Sequence, residues 1–436
     1  MGSYQDSAGT KSVWAPNPER SPGPAASPEN PVEATAKRER LGRLGPLLLV
    51  SHIAWAIPST GAGTLIQAMV ADQRGDSKVT SLALLTAVGA GAGVIATVVA
   101  GALSDRTRSR FGRRNPWILG GALVSATGLT LGGSTSVFAL QVAFFAVYQA
   151  GLNAMLSSLH ALLPDRVAKA SLGKASALSG VGYLLGTTAG GFYASAAIDH
   201  PAAGIQLVPW TMVVAALLVF FLAKDASNAG EPREHRSVGT LLKSLLPPKD
   251  HDFLWAFAGR FCVILALFTV AFYQLYLFTD LLGLTKERAG EVIALGTVVL
   301  GASALIASAV GGVLSDRIGR RKPPVVAASA LIGIAAIPAL ISPSVPTLIV
   351  FYAIGGIGYG TYLSVDQALM VEVLPRDGSE AKDLGFLSVA NTAPVMVAPL
   401  VAAGLVTTVG YRALFAAAFV LAMVGAVCIL MIRRVR

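Results

Sequence analysis

The chain has 436 residues, 54% of them apolar and 13% charged, with a formal net charge of +10. Soluble domains are about 25% charged, so this chain has too little charge to clothe a water-facing surface of its length. That argues against a soluble enzyme, a disordered chain or a disulfide scaffold.

Residues 1–43 are rich in Pro, Ser, Ala and Glu and poor in large apolar groups. Such a segment cannot offset its ordering entropy, and a disordered cytoplasmic tail is expected. It has no apolar signal-peptide core before Leu44, and Asp6 breaks the myristoylation pattern that Met1-Gly2 opens.

From Leu44 onward the chain runs through twelve apolar stretches, near 44–70, 79–103, 116–136, 137–163, 175–198, 207–223, 253–282, 289–314, 324–342, 346–374, 384–409 and 411–432. About 20 helical residues cross a hydrocarbon core of about 30 Å. The stretches do not alternate as barrel strands do, and helix is the other way to satisfy a backbone in lipid. The expected fold is an all-α membrane protein of twelve transmembrane helices. Lys224–Asp252 is the longest interior polar segment and contains Pro247-Pro248. It reads as a cytoplasmic linker at 224–252 between a six-helix bundle at 44–223 and a second at 253–436 that ends in a short basic tail.

Charge orients the spans. With both termini cytoplasmic, the outer loops hold five basic residues, Arg74, Lys78, Lys286, Arg288 and Arg412. The inner loops hold most of the rest, led by Arg106, Arg108, Arg110, Arg113 and Arg114 and by Arg317, Arg320, Arg321 and Lys322. The positive-inside rule then gives a multi-pass protein of the cell membrane with both ends inside.

The two halves match each other. Gly101-Ala-Leu-Ser-Asp105-Arg106 ends the second span, and Gly312-Val-Leu-Ser-Asp316-Arg317 ends the eighth, 211 residues later. Gly112-Arg113-Arg114-Asn115-Pro116 aligns with Gly319-Arg320-Arg321-Lys322-Pro323, and Leu163-Pro164 with Leu374-Pro375. Two parallel six-helix repeats are a known transporter plan, with the substrate site near midplane at their interface.

This doubled loop resembles the signature of the major facilitator superfamily. Ser104-Asp105-Arg106…Ser109-Arg110-Phe111-Gly112-Arg113-Arg114 is similar to the loop of its sucrose/proton, glycoside-type symporters. Ala381-Lys382-Asp383-Leu384-Gly385…Asn391…Pro394 resembles actinobacterial members of that branch. The resemblance implies the major facilitator fold, with two pseudo-symmetric six-helix bundles. It also implies a gating role for Gly101, Asp105, Arg106, Arg113, Gly312, Asp316, Arg317 and Arg320, which would hold the cytoplasmic ends of the halves together. The alternative is that these charges only anchor loops and set topology.

A charge at the bilayer centre costs about 2.5–3.5 kcal/mol or more, so charges inside spans are functional candidates. They are few. His52 lies in the first span, His160 near the end of the fourth, Arg260 in the seventh and Asp366 in the tenth. Asp280, Glu291 and Glu372 sit near span ends, within reach of water. Arg260 is 8 residues past Asp252 and Asp366 is 9 before Pro375. At 1.5 Å per residue both lie about 12–14 Å from the cytoplasmic edge. His52 lies at a similar depth. The expectation is an Arg260–Asp366 ion pair in which Asp366 accepts the coupling proton, with His52 as a weaker carrier. The alternative is a permanent structural pair.

In the superfamily the first, fourth, seventh and tenth spans line the cavity. Those spans offer Trp55; Gln149 and Asn153 on one face; Tyr273, Gln274 and Tyr276; and Tyr359, Tyr362 and Asp366 on one stripe. Aromatics with amides suit a polyhydroxylated or amphipathic solute; packing or an interfacial belt is the alternative.

Gly182, Gly186 and Gly190, with Gly173 and Gly191, nearly match the antiporter motif of proton-driven drug exporters, although Thr187 stands where that motif has Pro. Ordinary close helix packing explains the same spacing. Gly173-Lys174 is followed by Ala175, so there is no phosphate loop, and a gradient is the expected power source. Cys262 and Cys428 are too few for a thiolate metal site, and no metal, cofactor or nucleic acid is expected.

The expected function is secondary active transport of a small organic solute by a monomer in the bilayer, with sugar-type symport ahead of export of a drug-like compound or secondary metabolite. A membrane sensor and a lipid flippase are the rivals of another class, and an enzyme is not expected. In a variant lacking Cys262 and Cys428, Lys174→Cys and Arg321→Cys are expected to react with an impermeant maleimide in inside-out vesicles and not in intact cells. Labelling from outside only would reverse the topology.

Overall fold

The computed structural model describes residues 44–167, 171–222, 250–373 and 380–433. The expected tail at 1–43, residues 224–249 of the expected linker, and Leu374-Pro375 lie outside the described residues. Every regular element among the described residues is helical: α1 (Leu44–Arg74), α2 (Lys78–Arg106), α3 (Asn115–Ser134), α4 (Phe138–Arg166), α5 (Leu172–Ala196), α6 (Pro201–Leu207), α7 (Trp210–Leu222), α8 (His251–Ala271), α9 (Gln274–Tyr276), α10 (Lys286–Ile318), α11 (Lys322–Ala335), α12 (Ile337–Ile341), α13 (Val345–Val373), α14 (Glu380–Thr408) and α15 (Arg412–Leu430). Ten stretches among the described residues are long and apolar enough to cross a membrane, and the first, Leu44–Arg106, holds both α1 and α2. α5 is long enough at 25 residues, but Gly, Ser and Thr dilute its apolar character.

Three expected spans differ in the structure. The seventh, read as one helix over 253–282, ends at Ala271; α9 and a π-helical turn at Leu277–Leu281 follow. The Leu275 N–H donates to Gln67 Oε1 of α1 at 2.9 Å, so a side chain from the other half takes over a group the helix would have used. The sixth, read as 207–223, begins at Pro201 and is interrupted before Trp210; Pro209 has no N–H to continue the ladder. The ninth breaks into α11 and α12 at Ala336, two residues ahead of Pro338, whose missing N–H leaves the Ile334 carbonyl without its helical donor.

Sequence explains the ends. Asp250 caps α8 by accepting from Phe253 N, and Thr285 caps α10 by accepting from Arg288 N. The repeated loop has a backbone reason for its glycines. Gly112 and Gly319 sit at φ 80° and 65°, in the left-handed region. After each, Pro116 and Pro323 lie in the first turn of the next helix, where no N–H is missed.

Packing repeats as the sequence does. In the first half α1 packs on α5, and α4 packs on α2 and α3; in the second, α8 packs on α14, and α13 packs on α10 and α11. The halves meet where α2 packs on α14 and α5 on α10. Large apolar side chains such as Ile95, Phe192, Phe221, Ile306 and Val310 stay exposed, an apolar exterior suited to lipid.

Gly182, Gly186 and Gly190 all face α1. A Cβ on them would lie 2.5 Å from the carbonyl oxygens of Leu49, Ile53 and Ile57 respectively. Small residues at this spacing let the two backbones touch. Gly186→Val is therefore expected to destabilise by about 1–3 kcal/mol, because α1 must be displaced. Gly180→Val, with nothing within 4 Å of its Cβ, serves as the control. Thermal unfolding in detergent checks the pair; equal midpoints would show that this contact does not hold the half together.

Candidate functional site

α8 and α13 bring Arg260 and Asp366 together. Arg260 Nε donates to Asp366 Oδ2 at 2.7 Å, and its Nη2 reaches the same oxygen. Arg260 is 4% exposed and Asp366 2%. A pair this deep is weak evidence for stability, since desolvation offsets much of the attraction. What singles it out is that Asp366 Oδ1 and the Tyr362 hydroxyl are buried without a well-aligned hydrogen bond, while Tyr362 lies close enough to interact with both Asp366 and Arg260.

A second cluster lines the first half. His52 on α1 and His160 on α4 have ring centroids 6.0 Å apart, and Trp55 lies 6.3 Å from His52. His52 Nδ1 lies 2.8 Å from the Leu48 carbonyl and donates to it, leaving Nε2 as the acceptor of the neutral ring. Tyr183 of α5 stands 5.3 Å from Trp55, and Tyr359 of α13 lies within electrostatic reach of Tyr183. Tyr183 is absent from the sequence-based candidates, because the resemblance directed the search to four spans and α5 was not among them.

Several expected solute contacts lie elsewhere. Asn153 Nδ2 donates to the Gln149 carbonyl at 2.9 Å, and its Oδ1 accepts from Thr97 of α2 at 3.2 Å. Gln149 Cγ lies 3.2 Å from where Gly89 of α2 would carry a Cβ. The Asn153 amide thus serves the α2–α4 contact, and the stem of Gln149 packs there. Tyr273 and Tyr276 are fully buried. The Tyr273 hydroxyl lies 2.9 Å from the Val79 carbonyl, the Tyr276 hydroxyl lies 2.9 Å from the Gln67 carbonyl, and Gln274 Oε1 accepts from Tyr352. These three pack and bond at one end of the molecule.

That end carries a latch between the halves that sequence reading missed. Lys78 donates to Asp280 at 2.8 Å, Tyr411 donates to the other Asp280 oxygen at 2.6 Å, and Lys286 pairs with Asp72. No linear signal joins residues this far apart in the chain. The only sequence hint was that these lysines fall in loops otherwise poor in basic residues. Burial works against the Asp280 carboxylate, but the bonds from Lys78, Tyr411 and Thr279 outweigh it and hold its carboxyl below the usual range.

At the opposite end Asp105 Oδ1 pairs with Arg114 Nη2 at 2.7 Å, and Arg114 also donates to Ser104. This contact ties the end of α2 to the start of α3 within one half. Arg114, not Arg113, is the described partner of Asp105. Gly101 has nothing within 4 Å of a would-be Cβ. Arg106, Arg317 and Arg320 are exposed, Arg113 and Gly312 are half-buried, and the side chain of Asp316 lies outside the described residues.

The comparisons agree on the fold. The profile of the Major Facilitator Superfamily matches residues 47–309 and 289–436. No curated protein matches the chain. Among solved structures, a bacterial homolog of the human lysosomal transporter Spinster, in an inward-facing and occupied conformation, aligns over 90% of this chain and 95% of its own at 15% identity and a TM-score of 0.64. At that identity the likeness is one of fold.

The latch has a defined pH window. A carboxyl held low in the folded chain contributes above its ordinary pKa, and the contribution is lost as pH falls through the depressed value. Spin labels at Asp76→Cys and Leu282→Cys, in a chain without Cys262 and Cys428, are expected to show the same short distance from pH 8 down to about 5. Asp280→Asn is expected to raise the long-distance population a few-fold, since exposed pairs of this kind are worth about 0.2–1 kcal/mol. No change in Asp280→Asn would remove the latch role.

Proposed function

We propose that this chain, which belongs to the major facilitator superfamily, moves a small organic solute across the cell membrane by alternating access and couples that movement to protons through Asp366. In this reading it is a monomer of twelve spans in two six-helix bundles, with both termini cytoplasmic. Asp105, Asp316 and the arginines around them brace the cytoplasmic ends, and the Lys78–Asp280–Tyr411 cluster braces the outer one.

The observation that carries the proposal is the buried Arg260–Asp366 pair, whose Asp366 Oδ1 has no well-aligned hydrogen bond. A proton arriving on Oδ1 neutralises the carboxylate and gives it an O–H to donate, with the Tyr362 hydroxyl beside it. The attraction for Arg260 collapses, and the guanidinium must find another acceptor. Either state of the pair suits a different packing of α8 against α13. A two-state equilibrium a few kcal/mol deep needs no larger bias. His52, on α1 of the other half, is a second titratable group. Symport is preferred to export because contact with α1 accounts for the α5 glycines.

Asp366→Asn is expected to abolish proton-driven accumulation in proteoliposomes while solute counterflow, which needs no proton, persists. Asp366→Ala leaves Arg260 buried without its counter-charge and is expected to cost about 3–5 kcal/mol of stability. The double variant Arg260→Met/Asp366→Leu is expected to fold and to lose the coupling. Unchanged pH dependence of uptake in Asp366→Asn would reject the role.

A further inference from the structure

We infer that the wall made by His52, Trp55, His160, Tyr183 and Tyr359 binds a planar aromatic acid; the inference rests on the transport reading only in taking that acid as the solute carried. Trp55 and Tyr183 stand 5.3 Å apart at 32°, and Tyr183 is 44% exposed, so an aromatic face is open for stacking. Tyr359, on α13 of the other half, lies within electrostatic reach of Tyr183.

The polar groups on this wall suit an acid. Trp55 Nε1 is a buried donor with no partner. His160 is exposed, 6.0 Å from His52. His52 keeps Nε2 free because Nδ1 is engaged with Leu48. An imidazole nitrogen takes the proton of a carboxylic acid, or as imidazolium pairs with a carboxylate; both describe one complex. The indole N–H donates to the second carboxylate oxygen.

Other solute classes find less. An organic cation could lie over the aromatic faces but would lack a counter-charge there, since residues 44–70, 138–162 and 174–196 contain no Asp or Glu, and it would meet two imidazoles. Asp366 is already bound to Arg260. A sugar calls for amides or carboxylates that meet paired hydroxyls. Asn153 is bonded to Thr97 and to its own helix, and Gln274 is bonded to Tyr352, which leaves Gln149 alone among the candidate amides. The wall that remains is rich in aromatic area and holds no carboxylate or amide of its own, the groups that meet the paired hydroxyls of a polyol.

The test uses the purified full-length chain and three probes: 2-naphthoate, 2-naphthylmethylamine and sucrose. Calorimetry is expected to show 2-naphthoate binding at least ten-fold more tightly than either of the others. Trp55→Phe and His160→Phe keep a ring and remove the donors, and each is expected to weaken 2-naphthoate at least ten-fold with unchanged thermal midpoint. Equal or tighter binding of the amine or the sugar, no binding of any probe, or unchanged 2-naphthoate affinity in both variants would overturn the inference. Counterflow of labelled 2-naphthoate in proteoliposomes separates the two readings. Binding without exchange supports the ligand class and overturns transport, whereas exchange of sucrose alone supports transport and overturns the ligand class.

Discussion

Hydrocarbon offers no hydrogen bonds, so each backbone group and each charge inside it must find its partner within the chain. Most of this architecture follows from that constraint. It permits helices as the spanning elements. It limits charges in the spans to a few and makes their pairing obligatory, as for Arg260 and Asp366. Where the seventh span breaks, it calls in Gln67 from the other half to take the freed Leu275 N–H.

Without a hydrophobic drive between helices in lipid, association relies on close packing. The α1–α5 contact shows how: three glycines spaced four apart let α5 rest on the carbonyls of α1. The same helices carry the proposed ligand wall, with His52 and Trp55 on α1 and Tyr183 on α5. A Cβ on Gly182 would also meet the Cβ of His52 at 3.0 Å, so the contact that seats α5 on α1 fixes part of the proposed wall as well.

The halves repeat in sequence and in packing but differ in chemistry. The spans of the second hold the ion pair, and the apolar spans of the first hold imidazoles and an indole with no Asp or Glu among them. Tyr359 stands one turn from Tyr362 on α13, with the pair beyond it. A ligand against Tyr359 would thus sit one helical turn from Tyr362, which lies next to the Asp366 carboxylate, the proposed proton acceptor. That short path joins solute and proton in the proposed cycle.

Much of the fold was legible in the sequence. Hydropathy and length marked the spans, and the Gly–Arg–Arg–x–Pro loop marked the repeat, because a left-handed glycine and a first-turn proline are local demands of the backbone. The Arg260–Asp366 pair was legible too, since rare buried opposite charges at equal depth have few other partners. The break in the seventh span, the diversion of Asn153 to Thr97, the Lys78–Asp280–Tyr411 latch and the place of Tyr183 were decided by tertiary structure alone. Each depends on which face of a helix meets which neighbour. Here the helices are apolar nearly all round, so their sequence carries little periodic signal for orientation, and only packing against the rest of the molecule settles it.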